Sequence, residues 1–301
     1  MIDRLQAKAA EWNVELDETR ETATSLLGFG VRDGRRVVLK LTKVSDEANA
    51  GRVLQAFGES GAVRVYEAET GAMLLERIEP GEQLVSLVRR GEDDEATAIL
   101  AQVIEKLANH EAPEGCPSVA DWGRGFECYV RSGDRQISHG LVREGRDVFE
   151  DLASSQGSTM LLHGDLQHYN VLFDSVRGWT AIDPKGVIGE LEYEVGALLR
   201  NPIEQPENFT NRATVERRLE ILTATLPLNP TRALRWSFAQ AVLSAIWGVE
   251  DGYPVEPSHP ALQLANTLKP MLVSQVVKRT EASDIQNREP IRARRARRRR
   301  S

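Results

Sequence analysis

A chain of 301 residues, 41% hydrophobic and 28% charged, can bury a sizeable core and divide into two domains or one two-lobed unit. No apolar run approaches the roughly 20 residues that cross a bilayer, and the charged opening MIDRLQAKAAEW lacks the pattern of a secretion signal. A cytoplasmic protein without a membrane span is expected.

The net charge of −7 is uneven: residues 288–301 hold eight Arg and one Glu, +7, which leaves −14 on the rest. An acidic body repels nucleic acid and attracts cations. The run RARRARRRR reads as part of a disordered basic tail, 286–301, limited to non-specific contacts with nucleic acid. The two cysteines, Cys116 and Cys128, lack metal-ligand spacing and are expected as ordinary thiols.

Along the chain, Met1 to Glu11 reads as a short helix, followed by strand candidates at Trp12–Leu16, Ser25–Arg32 and Arg35–Thr42. The last two flank Asp33-Gly34, a two-residue hairpin signal. Ser45-Asp46-Glu47 looks like a helix start, after which Ala48, Val53, Leu54 and Phe57 share one face. Val63–Glu67 and Ala72–Ile78 are two further strands around Glu69-Thr70-Gly71. Beyond Ile78-Glu79-Pro80-Gly81 the pattern turns helical, over Glu92–Asn109, Ser118–Arg131, Arg143–Ser155, Asn211–Thr225, Arg232–Gly248 and Pro260–Lys278. One β-rich stretch, Met160 to Asp183, interrupts it. A small antiparallel β lobe with one helix, joined to a larger helical lobe, is an α+β two-lobed architecture.

The chemistry concentrates in LLHGDLQHYNVLFDSVRGWTAIDPKG, Leu161 to Gly186. Asn170 stands five residues after Asp165, and Asp183 eighteen after it, at the ends of short strands and a loop. Two carboxylates and a carboxamide are the hard oxygen ligands that Mg²⁺ takes when it also holds phosphates. Phosphoryl transfer needs a carboxylate for the acceptor's proton, metal on the phosphates and a further cation. In that frame Asp165 is the base, and Asn170 and Asp183 are the metal ligands. His163 is expected to orient the loop by hydrogen bonds; His168 has no assigned role.

His163-Gly164-Asp165, Asn170 and Ile182-Asp183 resemble the catalytic and metal-binding loops of the aminoglycoside phosphotransferases, relatives of the protein kinases. IDPKGVIGE, LLRNP and WSFAQAVLSAIWGVEDG resemble the streptomycin and hydroxyurea kinase branch, over about Glu21 to Tyr253. The resemblance implies a protein-kinase-like fold, with an N-terminal lobe over 1–78, a C-terminal lobe over 79–285, and ATP with Mg²⁺ in the cleft between them. It implies that Lys40 pairs with the nucleotide's phosphates, and that a helix acid pairs with Lys40: Glu47, or the position of Ala50 one turn later. It places the adenine edge against the backbone of Leu75-Glu76-Arg77-Ile78, hence Glu76 and Ile78. A G-x-G-x-x-G loop is absent, since Gly28-Phe29-Gly30 falls within a strand. The segment ETRETATS is expected as the phosphate-covering loop, with Thr22, Thr24 and Ser25 as donors, a plain polar turn being the other reading.

The implied reaction moves the γ-phosphate to a hydroxyl of a small cationic or polyhydroxylated acceptor, streptomycin-like by preference. Hydroxyurea or another metabolite, and a silent binding module that keeps the fold, are the alternatives. A cationic acceptor favours an acidic lining, for which Asp121, Glu190, Glu192, Glu194, Glu250 and Asp251 are candidates. Glu194 stands where the branch is expected to carry Asp in support of the catalytic loop. Trp236 and Trp247, eleven residues apart, are both assigned to the core of one buried helix.

Overall fold

A computed structural model describes residues 1–44 and 47–273. The basic tail and the end of the last expected helix lie outside the described residues. The N-terminal lobe is a five-stranded antiparallel sheet of order β1-β2-β3-β5-β4, built from β1 (Glu15–Glu21), β2 (Ser25–Arg32), β3 (Arg35–Thr42), β4 (Val65–Glu69) and β5 (Ala72–Glu76). The Asp33-Gly34 turn carries φ of +50° and +74°, so both central residues take the left-handed conformation that matches strand twist in a two-residue hairpin. Helix α1 (Ile2–Glu11) lays Leu5 and Ala9 against Leu39, Leu41 and Leu74 on one face of the sheet. Helix α2 (Ala50–Phe57) covers the other with Ala50, Val53, Leu54 and Phe57.

Two expectations shift here. The first strand runs over Glu15–Glu21, not Trp12–Leu16, which absorbs the first half of ETRETATS and leaves residues 22–24 as the link to β2. A solvated edge strand reads as a loop because its outward side chains are nearly all charged. Helix α2 starts at Ala50, three residues beyond Glu47. The carboxylate of Glu47 turns to Lys40. Ser45 and Asp46 lie outside the described residues.

The C-terminal lobe begins with β6 (Pro80–Gln83), a strand absent from the sequence reading because it starts at a proline and pairs with a segment some ninety residues on. Helices α3 (Val85–Arg89), α4 (Asp93–Leu107), α5 (Val119–Trp122), α6 (Arg124–Ser132) and α7 (His139–Ser154) follow. The expected Ser118–Arg131 helix is thus two, the first closed by a Ser118–Asp121 capping box. The β-rich stretch supplies β7 (Met160–Leu162), β8 (Val171–Asp174), β9 (Gly178–Ala181) and β10 (Val187–Gly189). Strand β8 lies between β6 and β9, and β10 pairs with β7. Helices α8 (Val195–Leu199), α9 (Pro206–Phe209), α10 (Arg212–Thr225) and α11 (Pro230–Glu250) complete the lobe, with a helix over 260–273. Trp236 of α11 meets Phe149 and Tyr193 edge-on, at 5.1 Å for each pair of rings, in the middle of the apolar core.

The lobes touch where the chemistry falls. Val63 N–H donates to Ala181 O at 2.9 Å, and Ala181 N–H to Gly61 O at 2.7 Å. Gly186, at φ +75°, lets the 183–186 loop lie flush on Val53 of α2, whose methyl a Cβ would strike.

Arg218 of α10 is fully buried. It bonds both oxygens of Asp93 (2.6 and 3.1 Å) and donates to the carbonyls of Leu198 and Asn201 at 3.1 and 2.8 Å. Removing Arg218 leaves Asp93 only the part-exposed Arg217, whose Nη2 lies 3.0 Å from Oδ2, in place of a fully buried two-point partner. Arg218→Met is therefore expected to cost about 3–5 kcal/mol in urea unfolding. The double variant Asp93→Leu/Arg218→Met is expected to recover part of that loss, and a double variant no more stable than the single would refute the pairing.

Candidate active site

Strand β3 delivers Lys40 to the inner face of the sheet, where the residue is only 3% exposed. Its Nζ lies 2.8 Å from Asp183 Oδ1 and 3.2 Å from Glu47 Oε2. Burial alone lowers an ammonium's pKa, but the two carboxylates outweigh it and hold the Lys40 value above its ordinary one. The acid that meets the lysine is Glu47; Ala50 is buried in α2. Asp183 itself sits at φ +56°, a conformation that Asp tolerates better than most residues.

The loop between β7 and β8 carries the rest. Asp165 accepts from Asn170 Nδ2 at Oδ2 (3.3 Å), and its backbone carbonyl takes the same amide at 2.9 Å. Arg200, which caps the end of α8, reaches Asp165 Oδ1 at 3.3 Å. Burial pushes the Asp165 carboxyl upward, opposed by the charges of Arg200 and Lys185. His163 bridges to the second loop: Nε2 lies 2.8 Å from Ile182 O, and Nδ1 is 3.3 Å from Asp165 N. The backbone N–H can only donate, so Nε2 carries the proton. Burial pulls the His163 pKa down to about 4, which keeps the ring neutral. Gly164 requires glycine: φ is +80°, and a Cβ would stand 2.7 Å from the Trp122 ring.

Glu194 and Glu190, expected toward an acceptor, are instead buried inside the lobe. Glu194 takes the N–H of His163 at 2.7 Å and of Gly164 at 3.0 Å, from beneath the loop. Glu190 is held by Arg232, Trp236 Nε1 and Gly157 N–H. Asp121 caps α5, and Glu192 accepts from Asn229 N–H. Of the six acids only Glu250 and Asp251 line the cleft beside Asp165, a cavity of about 960 Å³. Its walls include Trp122, Lys185, Arg200 and Trp247. Trp247, assigned to the core from its spacing to Trp236, stands in this wall with its ring 5.5 Å from Trp122 at 89°. Cys116 also lines it. Arg200 lies outside the sequence-derived set; its position in LLRNP carries no local signal of a contact 35 residues away.

The connector and the β1–β2 turn do not line this cavity. Glu76 spends its carboxylate on Arg64 N–H (2.7 Å) and Arg177, and its own N–H goes to Arg64 O. Arg77 N–H goes to Arg36 O at 3.1 Å. Ile78 is 8% exposed and packs with the core of the molecule. Thr24 lies on the turn, whereas Ser25 opens β2 opposite Thr42 with its side chain buried. Thr22 Oγ1 accepts from Ser25 N–H at 2.9 Å and closes the turn. His168 is buried in the following loop, where burial, with Arg218 nearby, lowers its pKa to about 3.

Burial raises the Glu194 carboxyl from 4.5 to about 7, against the loop's N–H donors. Between those values the folded protein holds a proton that the unfolded chain has released, so this group lowers stability as pH rises through the window. The stability of the wild type relative to Glu194→Gln, which cannot titrate, is expected to fall by about 3 kcal/mol from pH 4.5 to 7. A flat difference in pH-dependent urea unfolding would contradict the buried titration.

Residues 11–252 match the family model described as aminoglycoside/hydroxyurea antibiotic resistance kinase. Streptomycin 3''-kinase of Klebsiella pneumoniae is 32% identical over 80% of this chain and 91% of its own. Streptomycin 6-kinase of Streptomyces griseus is 30% identical over 76% of each chain. Hydroxyurea phosphotransferase of Kitasatospora aureofaciens is 32% identical over 73% of this chain and 64% of its own. Among solved structures, a thermostable mutant of aminoglycoside phosphotransferase APH(4)-Ia, in ternary complex with AMP-PNP and hygromycin B, superposes with a TM-score of 0.64. It shares 17% identity, over 90% of this chain and 98% of the other. Choline kinase from Streptococcus pneumoniae gives 0.61 at 15% identity, over 91% of this chain and 99% of its own, so these two speak for the fold. A lysine held by Glu47 and Asp183, facing a loop built on Asp165 and Asn170, stands inside the matched span, and the chain belongs to the aminoglycoside/hydroxyurea antibiotic resistance kinase family.

Proposed function

We propose that this kinase transfers the γ-phosphoryl of ATP to a hydroxyl of a cationic, polyhydroxylated antibiotic of the streptomycin type. One observation carries the reading: the cleft that Asp165 lines also has Glu250 and Asp251 in its wall, and its volume is about 960 Å³. Hydroxyurea would occupy a small part of that space, whereas drug-sized ligands fill pockets of roughly 300–1,000 Å³. Glu250 and Asp251 supply the negative lining that a guanidino sugar would meet.

In this reading Asp165 accepts the proton of the attacking hydroxyl while Asn170 and Arg200 hold its two oxygens. Lys40 is kept charged by its two carboxylates and turns toward the phosphates, and Ile78 offers its backbone to the adenine edge. Thr24 covers the phosphates from the turn. Asn170 and Asp183 fit a magnesium ion by donor chemistry: the Asn170 amide nitrogen is committed to Asp165, which leaves its oxygen, and Asp183 adds a carboxylate. Such an ion bridges phosphate oxygens and neutralises charge that builds on them.

The test is a panel of streptomycin, other aminoglycosides, hydroxyurea and amino alcohols with Mg-ATP, scored by mass spectrometry for an acceptor gaining one phosphate. Streptomycin is expected to gain it. Asp165→Asn is expected to lower kcat by about 10²–10⁴, the worth of a general base. Transfer to hydroxyurea alone would overturn the acceptor, and no transfer with no thermal shift by Mg-ATP would overturn the kinase reading in favour of a silent relative.

The acidic wall makes a separate claim. Glu250→Gln/Asp251→Asn is expected to raise KM for streptomycin by about tenfold, ~1.4 kcal/mol, and to leave KM for ATP unchanged. Steady-state kinetics at low salt check this; equal rises for both substrates would refute it.

A further inference from the structure

Asp165 has two oxygens and two holders. Asn170 binds one from its own loop. The other is bound by Arg200, from a different element, and the way Arg200 is itself fixed goes beyond what a casual surface pairing needs. Its Nη1 donates to Gln240 Oε1 at 2.9 Å. Gln240 is buried on α11, and its own amide donates to Tyr193 O at 3.4 Å. Gly196, one turn before Arg200, lacks the Cβ that would displace the Gln240 amide. The backbone on either side is anchored as well, since Arg218 binds the carbonyls of Leu198 and Asn201, and Asn201 Nδ2 donates to Ala197 O at 2.8 Å. The Arg200 side chain is only 12% exposed, so its reach to Asp165 is set by packing from three helices and not by a flexible stem in water.

We propose that Arg200 is a positioning residue for the transfer reaction, which with Asn170 holds the Asp165 carboxylate in one plane, with a remaining lone pair aimed at the incoming hydroxyl. The proposal rests on the reading of Asp165 as the base. A carboxylate held at one oxygen alone rotates about its last torsion, which is broad. One held at both oxygens by groups from separate elements keeps one plane, and proton transfer depends steeply on that geometry. Arg200 acts through Asp165, and the clamp runs from Gly196 through Gln240 and Arg200 to the base.

The test compares Arg200→Ala, Arg200→Lys and Gln240→Met with the full-length wild type, using the acceptor found in the panel. Arg200→Ala is expected to lower kcat about 10²-fold while KM for ATP changes less than about twofold, and millimolar ethylguanidinium is expected to restore part of the lost turnover. Arg200→Lys restores less than ethylguanidinium does, because an ammonium cannot bridge Asp165 and Gln240 in one plane. Gln240→Met, which lies away from the cleft, reproduces a smaller kcat loss at unchanged KM. Unaltered kcat in Arg200→Ala, or a matching rise in KM for ATP that marks a phosphate contact, would overturn the clamp. So would a kcat loss that ethylguanidinium leaves untouched in protein with wild-type unfolding behaviour. Failure of the base reading is distinguishable: Asp165→Asn would then keep wild-type turnover whatever Arg200 does.

Discussion

A single buried ammonium between two carboxylates from opposite lobes organises the molecule. Lys40 comes from the middle of the N-terminal sheet, Glu47 from the approach to α2, and Asp183 from the loop after β9, 143 residues later in the chain. A buried lysine without partners would shed its proton. With two carboxylates it stays charged, and each carboxylate in turn has a reason to stay where it is. The two ion pairs therefore tie the lobes together, and apolar contacts such as Val53 on Gly186 lie beside them.

The catalytic loop has the opposite construction, being stiffened from below. Glu194 collects N–H groups of His163 and Gly164, His163 passes a hydrogen bond on to Ile182 O, and Ile182 N–H returns one to Asn170 O at 2.9 Å. A glutamate does the work that a shorter aspartate was expected to do, with its longer stem accommodated in the buried space beneath the loop. Its doubled acceptor geometry is what holds the loop: both carboxylate oxygens are engaged.

Legibility in the sequence followed the range of the interactions. The Asp33-Gly34 hairpin, the H-G-D-x-x-x-x-N spacing and the lysine strand were readable because each is fixed by neighbours in sequence. The position of Glu47 opposite Lys40 was readable only as one of two choices, since a helix start says little about where its first acid points. The exposed strand β1 and the proline-led strand β6 were missed, because each owes its conformation to a partner strand. Acids posed the hardest case. Glu190, Glu194, Glu250 and Asp251 look alike in sequence, but two are buried against donors within the lobe and two line a cleft. Only the packing of α11 against the loop separates them. The same helix turns Trp236 inward and Trp247 toward the cleft, although eleven residues should place them on one face; the core ends between them.

Both signs of charge line the cleft. Arg200 lies 3.3 Å from Asp165 and Lys185 is in the same lining, while Glu250 and Asp251 line it together with Tyr253 and Ile203, which are 60% and 57% exposed. On the proposed reading a cationic group is repelled by Lys185 and Arg200 and attracted by the acids, so the acceptor's charged groups settle on Glu250 and Asp251 and a hydroxyl is left for Asp165. A chain of net charge −7 thus carries at Lys40 a buried positive charge held by two carboxylates, and at Arg200 a nearly buried one held by a carboxylate and an amide, and these partners fix where the charge is felt.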